Sequence, residues 1–113
     1  MNDPIKRIRR PGCTILVFVM SGFDRFDDNV DVEVHLPDGS RWGATFFTLK
    51  NIRTLMNRYR STGECSGGLY FWAADMVLLE ELTYGTIIAT VEDLLAEGEF
   101  QMVFEHFEES EEE

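Results

Sequence analysis

The sequence predicts an α+β fold, an antiparallel sheet with two helices packed on it, in the order β-β-β-α-β-β-α-β. Three observations carry that expectation. Two strictly alternating apolar runs flank Pro37-Asp38-Gly39-Ser40, which is the pattern of a β-hairpin. Two later stretches repeat apolar residues at helical spacing, and each ends in a glycine, Gly63 and Gly98. The chain has 113 residues, of which 44% are hydrophobic, enough for one core that stands without disulfides.

Taken in order, residues 1–12 hold Pro4, Pro11, Gly12 and the cluster Lys6-Arg7-Ile8-Arg9-Arg10, and predict a flexible basic arm outside the domain. Cys13 to Met20 is rich in β-branched and aromatic residues on both faces, as in a central strand. Ser21 to Asn29 is a polar connection carrying Phe23 and Phe26. In Val30 to Leu36 the residues Val30, Val32, Val34 and Leu36 face in, while Asp31, Glu33 and His35 face out. Pro37 to Ser40 supplies the turn, and Arg41 to Phe47 places Trp42, Ala44 and Phe46 on one face. Thr48 is positioned as an N-cap for a helix whose stripe is Leu49, Ile52, Leu55, Met56 and Tyr59. Leu69 to Trp72 predicts a short aromatic strand that turns at Ala73-Ala74-Asp75 and pairs back through Met76 to Leu79. Tyr84 to Glu97 predicts the second helix, with Ile87, Ile88, Val91, Leu94 and Leu95 inward. The alternation of Phe100, Met102 and Phe104 predicts a final strand ending near Phe107. One domain over residues 13–107 results, followed by a disordered acidic tail at 108–113.

The charge is unevenly spread. The formal net charge is −11, yet all ten Lys and Arg lie in residues 1–60, while residues 61–113 hold fourteen of the 21 acidic residues. Five of those fourteen fall in Glu108 to Glu113, a run with nothing apolar to bury. A field of this sign suits a basic protein partner and argues against nucleic acid, whose phosphates call for a positive patch. No apolar run approaches the roughly 18 residues of a membrane span, so no membrane partner is expected. The two cysteines, Cys13 and Cys65, are too few and too far apart for a disulfide scaffold, and the N-terminus lacks a signal-peptide pattern. A reducing cytoplasm with both thiols free is the expectation.

Residues that carry chemistry in other proteins are present without their usual spacing. Asp27, Asn29, Asp31 and Asp38 fall at positions one, three, five and twelve of a calcium loop, but Val32 stands where that loop needs Gly. His35 and His106 have no neighbouring ligands in zinc spacing. Cys65 lies between Glu64 and Ser66, with no cation nearby in sequence to favour a thiolate. Neither a nucleophile elbow nor a phosphate-cradling loop occurs. No cofactor, metal site or catalytic residue is therefore expected, and the chain leans away from an enzyme.

Two stretches, Leu36-Pro37-Asp38-Gly39-Ser40-Arg41-Trp42-Gly43-Ala44-Thr45-Phe46-Phe47-Thr48 and Gly63-Glu64-Cys65-Ser66-Gly67-Gly68-Leu69-Tyr70-Phe71-Trp72-Ala73-Ala74-Asp75-Met76, resemble a family of small acidic bacterial proteins with no established activity. In size, acidity and α+β plan the chain is also similar to the immunity proteins of polymorphic-toxin systems. That likeness implies a small protein-binding module, an inhibitor or toxin-neutralising protein. Separately, an aromatic patch ringed by carboxylates has the anchor-and-rim anatomy of a protein interface. The residues that fit these roles are Tyr70 and Trp72 on the aromatic strand, and Glu92, Asp93 and Glu97 on the second helix. The alternative is a small enzyme or ligand-binding domain with a pocket near Glu64, Cys65 and Asp75. Lys50, Arg53 and Arg60 share one side of the first helix, a face that suits an anion, or else the acidic half of a neighbouring copy, which would give weak self-association.

Overall fold

The tight pairing of two alternating strands around Pro37-Asp38-Gly39-Ser40 is the frame on which everything else is hung. The computed structural model describes residues 4–19 and 22–108. In it, β3 (Asn29–His35) and β4 (Arg41–Thr48) pair antiparallel with Val30 opposite Phe46, Val32 opposite Ala44 and Val34 opposite Trp42. This is the predicted hairpin. Gly39 takes the turn at φ +89°, where a side chain would be strained, and Asp38 Oδ1 accepts from both the backbone N–H and the hydroxyl of Ser40. Those two hydrogen bonds hold the Asp38 carboxyl below the usual carboxylate range. The Ser40 hydroxyl in turn accepts from Trp42 Nε1 at 2.9 Å, so the buried indole keeps a partner.

On the outer side of β3 lies β2 (Cys13–Phe18), and beyond it β1 (Ile5–Arg10), both antiparallel. Residues 5–10, expected as part of a flexible arm, are thus the edge strand of the sheet. Ile8 sits opposite Ile15 and packs against the core, while Lys6, Arg7, Arg9 and Arg10 decorate the edge. Charged side chains of this kind suit an edge strand because they discourage pairing with a second chain.

On its other side, β4 is shared by two short strands. Its second half pairs with β5 (Met76–Leu79), and its first three residues pair with β6 (Glu105–Phe107). The β4–β5 pair is parallel, so the six-stranded sheet is mixed rather than wholly antiparallel. A parallel link follows from the crossover through α1 (Leu49–Thr62), which returns the chain to the same end of the sheet.

Two segments depart from the predicted strands. Leu69 to Trp72 is not a strand: the Leu69 N–H is committed to the Cys65 carbonyl in the turn before it, and among the described residues β5 pairs with β4 and not with this segment. Phe100 to Phe104 is not one either. Phe100–Val103 forms the short helix α4, and Phe100 and Phe104, four residues apart, stack at 4.4 Å inside the core. Met102, which an alternating strand would have aligned with them, is instead exposed. The predicted final strand shrinks to Glu105–Phe107.

The core lies on one face of the sheet. Ile15, Val17, Val32, Val34 and Phe46 point into it and meet Ile87 and Val91 of α3 (Tyr84–Glu97), closed at one end by Phe100 and Phe104. A capping box between Thr83 and Thr86 starts α3, and Gly98 ends it at φ +77°. Between α1 and β5 the chain makes α2 (Glu64–Gly68), a single turn in which Cys65, Ser66, Gly67 and Gly68 are all left-handed.

Candidate functional site

The opposite face of the sheet begins from the same strands and ends in a different surface. Residues of β3 and β4 that alternate with the core set, Asp31 and Glu33 on one strand and Gly43, Thr45 and Phe47 on the other, point here. Only part of this face is covered. Phe47 is buried under Phe71, with centroids 5.3 Å apart, and Phe71 stacks on Tyr59 of α1. The half beside β6 stays open as a groove of about 350 Å³. Phe18, Asp31, Gly43, Asp75, Glu105 and Phe107 are among its walls and floor. The groove owes its form to Gly43, whose missing side chain is the space occupied by the Phe107 ring; a Cβ there would collide with it.

Its charge is one-sided. Asp31 accepts a hydrogen bond from the Thr45 hydroxyl at 2.8 Å, and among the described residues Asp31, Asp75 and Glu105 make no ion pair. Glu33, largely buried, is engaged: its Oε2 lies 3.0 Å from His35 Nε2 and accepts from the Arg41 guanidinium at 3.4 Å. Among the described residues no three His, Cys, Asp or Glu side chains converge as metal ligands would. The groove therefore offers three carboxylates without an ion-pair partner among the described residues, along with two phenyl rings, Phe18 and Phe107. Such a surface accepts a guanidinium or ammonium carried on an apolar stem.

Beside the groove runs the aromatic segment. Phe71 points inward as its anchor, while Leu69, Tyr70 and Trp72 stand 77%, 48% and 69% exposed. From Trp72 the chain continues through Ala73 into Ala74 and Asp75, which line the groove. The alternation anticipated for Tyr70 and Trp72 against Phe71 is present without the strand.

Compared with models of protein families, with curated proteins and with solved structures, the chain matches none.

The residues singled out in the sequence are divided by the sheet. Glu92, Asp93 and Glu97 lie on α3, which packs on the Phe46 face, whereas Phe71 packs on Phe47, the next residue, whose side chain points the opposite way. Tyr70 and Trp72 thus share a side with the groove, and the helical carboxylates do not. Glu92 is moreover engaged at 2.6 Å by Arg10 Nε, which holds the Arg10 guanidinium above its ordinary range. Of Glu64, Cys65 and Asp75, only Asp75 lines the groove; Glu64 is exposed and accepts from the Thr62 hydroxyl at 3.1 Å. Cys13 is buried, and loss of water pushes its thiol pKa up.

The acidic connection, which carries the fragmentary calcium pattern, has its oxygens committed elsewhere. Asp27 accepts from Asn51 Nδ2 at 3.0 Å and from the Thr54 hydroxyl at 2.8 Å, and these bonds hold its carboxyl below the usual range. Asn29 donates its side-chain amide to Asn51 at 2.8 Å, and Asp28 N–H donates to the Thr48 hydroxyl. This lattice fastens the start of α1 to the sheet. Asp31 stood out in the sequence only as part of the calcium pattern, and Glu105 not at all, since an outward residue of a strand gives no sign of the groove until β6 is known to lie beside β4.

Proposed function

We propose that this protein is a binding module that presents the groove face of its sheet to a basic partner protein, as an inhibitor or toxin-neutralising protein would. The observation that carries the reading is the groove itself: Asp31, Asp75 and Glu105, without an ion pair among the described residues, line it together with Phe18 and Phe107 on the uncovered part of a sheet face. A partner's Arg or Lys stem would lie against the rings with its head among the carboxylates. Tyr70 and Trp72, exposed next to the groove, supply the amphipathic aromatic contacts on which binding energy concentrates. The net charge of −11 adds long-range steering. Glu92, Asp93 and Glu97, on the other side of the sheet, contribute to that field and not to the contact. No helix among the described residues is long and apolar enough to cross a membrane.

The test is capture of the partner from native lysate, followed by association kinetics at rising salt. Wild-type protein is expected to lose association rate steeply as the Debye length falls below about 10 Å, with dissociation much less affected. Asp75→Lys with Glu105→Lys should abolish capture, while Asp93→Lys with Glu97→Lys should slow association only modestly. Binding that ignores salt, or full capture by the groove variant, would overturn the reading.

A further inference from the structure

A second surface of opposite sign lies on the same molecule. α1 contains no Asp or Glu and carries four exposed cations, Lys50, Arg53, Arg58 and Arg60. In a chain with 21 acidic residues, none of these four makes an ion pair among the described residues. Lys50 and Arg58 lie on the side of Asp27, whose carboxyl they help to hold ionised. Arg53 and Arg60 are turned elsewhere: with Ile52, Met56, Asn57 and Gly68 they line a concavity of about 370 Å³. Two helical turns separate them, so they stand roughly 11 Å apart along the axis with Met56 between.

This concavity is built rather than incidental. Gly68 is left-handed at φ +83° and lies against the Met56 carbonyl so closely that a Cβ would collide with it. The left-handed turn at Cys65 and Ser66 brings the chain to that position, at the steric cost two non-glycine residues bear there. Directly after Gly68, Leu69 projects into solvent and prolongs the apolar surface. The surface is therefore a shallow trough of mixed lining, apolar at Ile52 and Met56 and polar at Asn57, with an arginine toward each end.

We propose that the α1 face docks an acidic amphipathic helix of a partner protein, one with carboxylates at positions i and i+7 and apolar residues between them. Carboxylates seven residues apart on a helix have the same spacing as Arg53 and Arg60, and each guanidinium offers a fork that pairs with a carboxylate through two hydrogen bonds. Apolar residues at i+3 and i+4 fall on the same face and meet Ile52, Met56 and Leu69. The site shares no lining residue with the acidic groove, and the proposal stands independently of a basic partner there.

The probe is a synthetic 18-residue helical peptide with Glu at i and i+7 and Leu at i+3 and i+4, titrated by calorimetry and by amide shifts in the labelled protein. Controls are a peptide of the same composition in scrambled order, a short single-stranded oligonucleotide and inorganic phosphate. Binding with shifts centred on Ile52, Met56 and Gly68 is expected, at least fivefold tighter than for the scrambled peptide. Arg53→Glu with Arg60→Glu should weaken it at least tenfold, with an unchanged urea midpoint showing that these exposed changes leave the fold intact. Asp93→Lys, on the far side of the sheet, should leave the affinity unchanged. Equal binding of the scrambled peptide, tighter binding of the oligonucleotide or phosphate, insensitivity to the arginine variant, or no binding at all would overturn the proposal.

Discussion

The two faces of this sheet are made from alternate residues of the same strands, yet they behave as different materials. On one, Phe46, Ile15 and Ile87 are completely buried, aliphatic and aromatic side chains pack against one another, and α3 and α4 cover the layer. On the other, α1 buries only Asn51, its apolar stripe is half-buried, and a network of Asp27, Asn29, Asn51 and Thr54 does the fastening. Hydrophobic burial scales with area removed from water, so the first face supplies most of the stability. The second keeps its rings, carboxylates and arginines at the surface, where they are free to meet another molecule. Left-handed Cys65 and Ser66 lie on this second side as well. The main core and the surfaces proposed for recognition are thus separated by the thickness of one sheet.

The comparison is most directly broken by truncation on each side. Phe46→Ala, which empties a site with no exposure, should cost about 3–5 kcal/mol in urea denaturation, whereas Leu55→Ala on the half-buried stripe should cost about 1 kcal/mol. Equal losses would mean that both faces are core. Next in size is Thr48→Ala. Its buried hydroxyl accepts from Asn51 N–H at 3.1 Å and from Asp28 N–H, so its removal should cost about 1–2 kcal/mol by the same measurement. A smaller effect of opposite sign is expected at the left-handed turn: Ser66→Gly relieves a side chain at φ +55° and should raise stability by up to about 1 kcal/mol. Destabilisation there would show that the Ser66 side chain makes a contact worth more than the strain.

The finest distinction is in pH. Hydrogen bonds from Asn51 and Thr54 lower the folded-state pKa of Asp27 below its unfolded value, so the carboxylate stabilises the fold above that unfolded value, near 3.9. The contribution is lost as pH falls through the lower, folded pKa. The gap in urea midpoint between wild type and Asp27→Ala should therefore be full at pH 6 and shrink progressively below about pH 4. A gap that persists to pH 2 would show that packing, not charge, holds the loop to α1.

Much of this was legible in the residues. The hairpin register, the Thr48 cap, both long helices and the glycines that end them follow from local rules, because alternation, helical spacing and positive φ are imposed by the few residues involved. The aromatic segment was legible in part: Tyr70 and Trp72 are outward and Phe71 inward, as alternation requires. Its strand was not, because a strand exists only beside another, and the left-handed turn before this segment does not lay it alongside β5. The arm at residues 5–10 misled for the complementary reason, since pairing with β2 outweighed a charge pattern that on its own describes a solvated coil.

Phe100, Met102 and Phe104 show the limit most plainly. Their spacing fits both a period of two and a step of four, and only the core, with room for two stacked rings beside Trp42, selects the helix and turns Met102 outward. The candidate site falls on the same divide. By itself the sequence determined the sign of the charge, the identity of the aromatic residues and the absence of Lys and Arg from residues 61–113. Which carboxylates line one groove was decided only in three dimensions, by β6 lying against β4 and Phe107 over Gly43. Hydrogen bonding between strands far apart in the chain carries no local signature, so the tertiary structure alone made a groove from residues 31, 75 and 105.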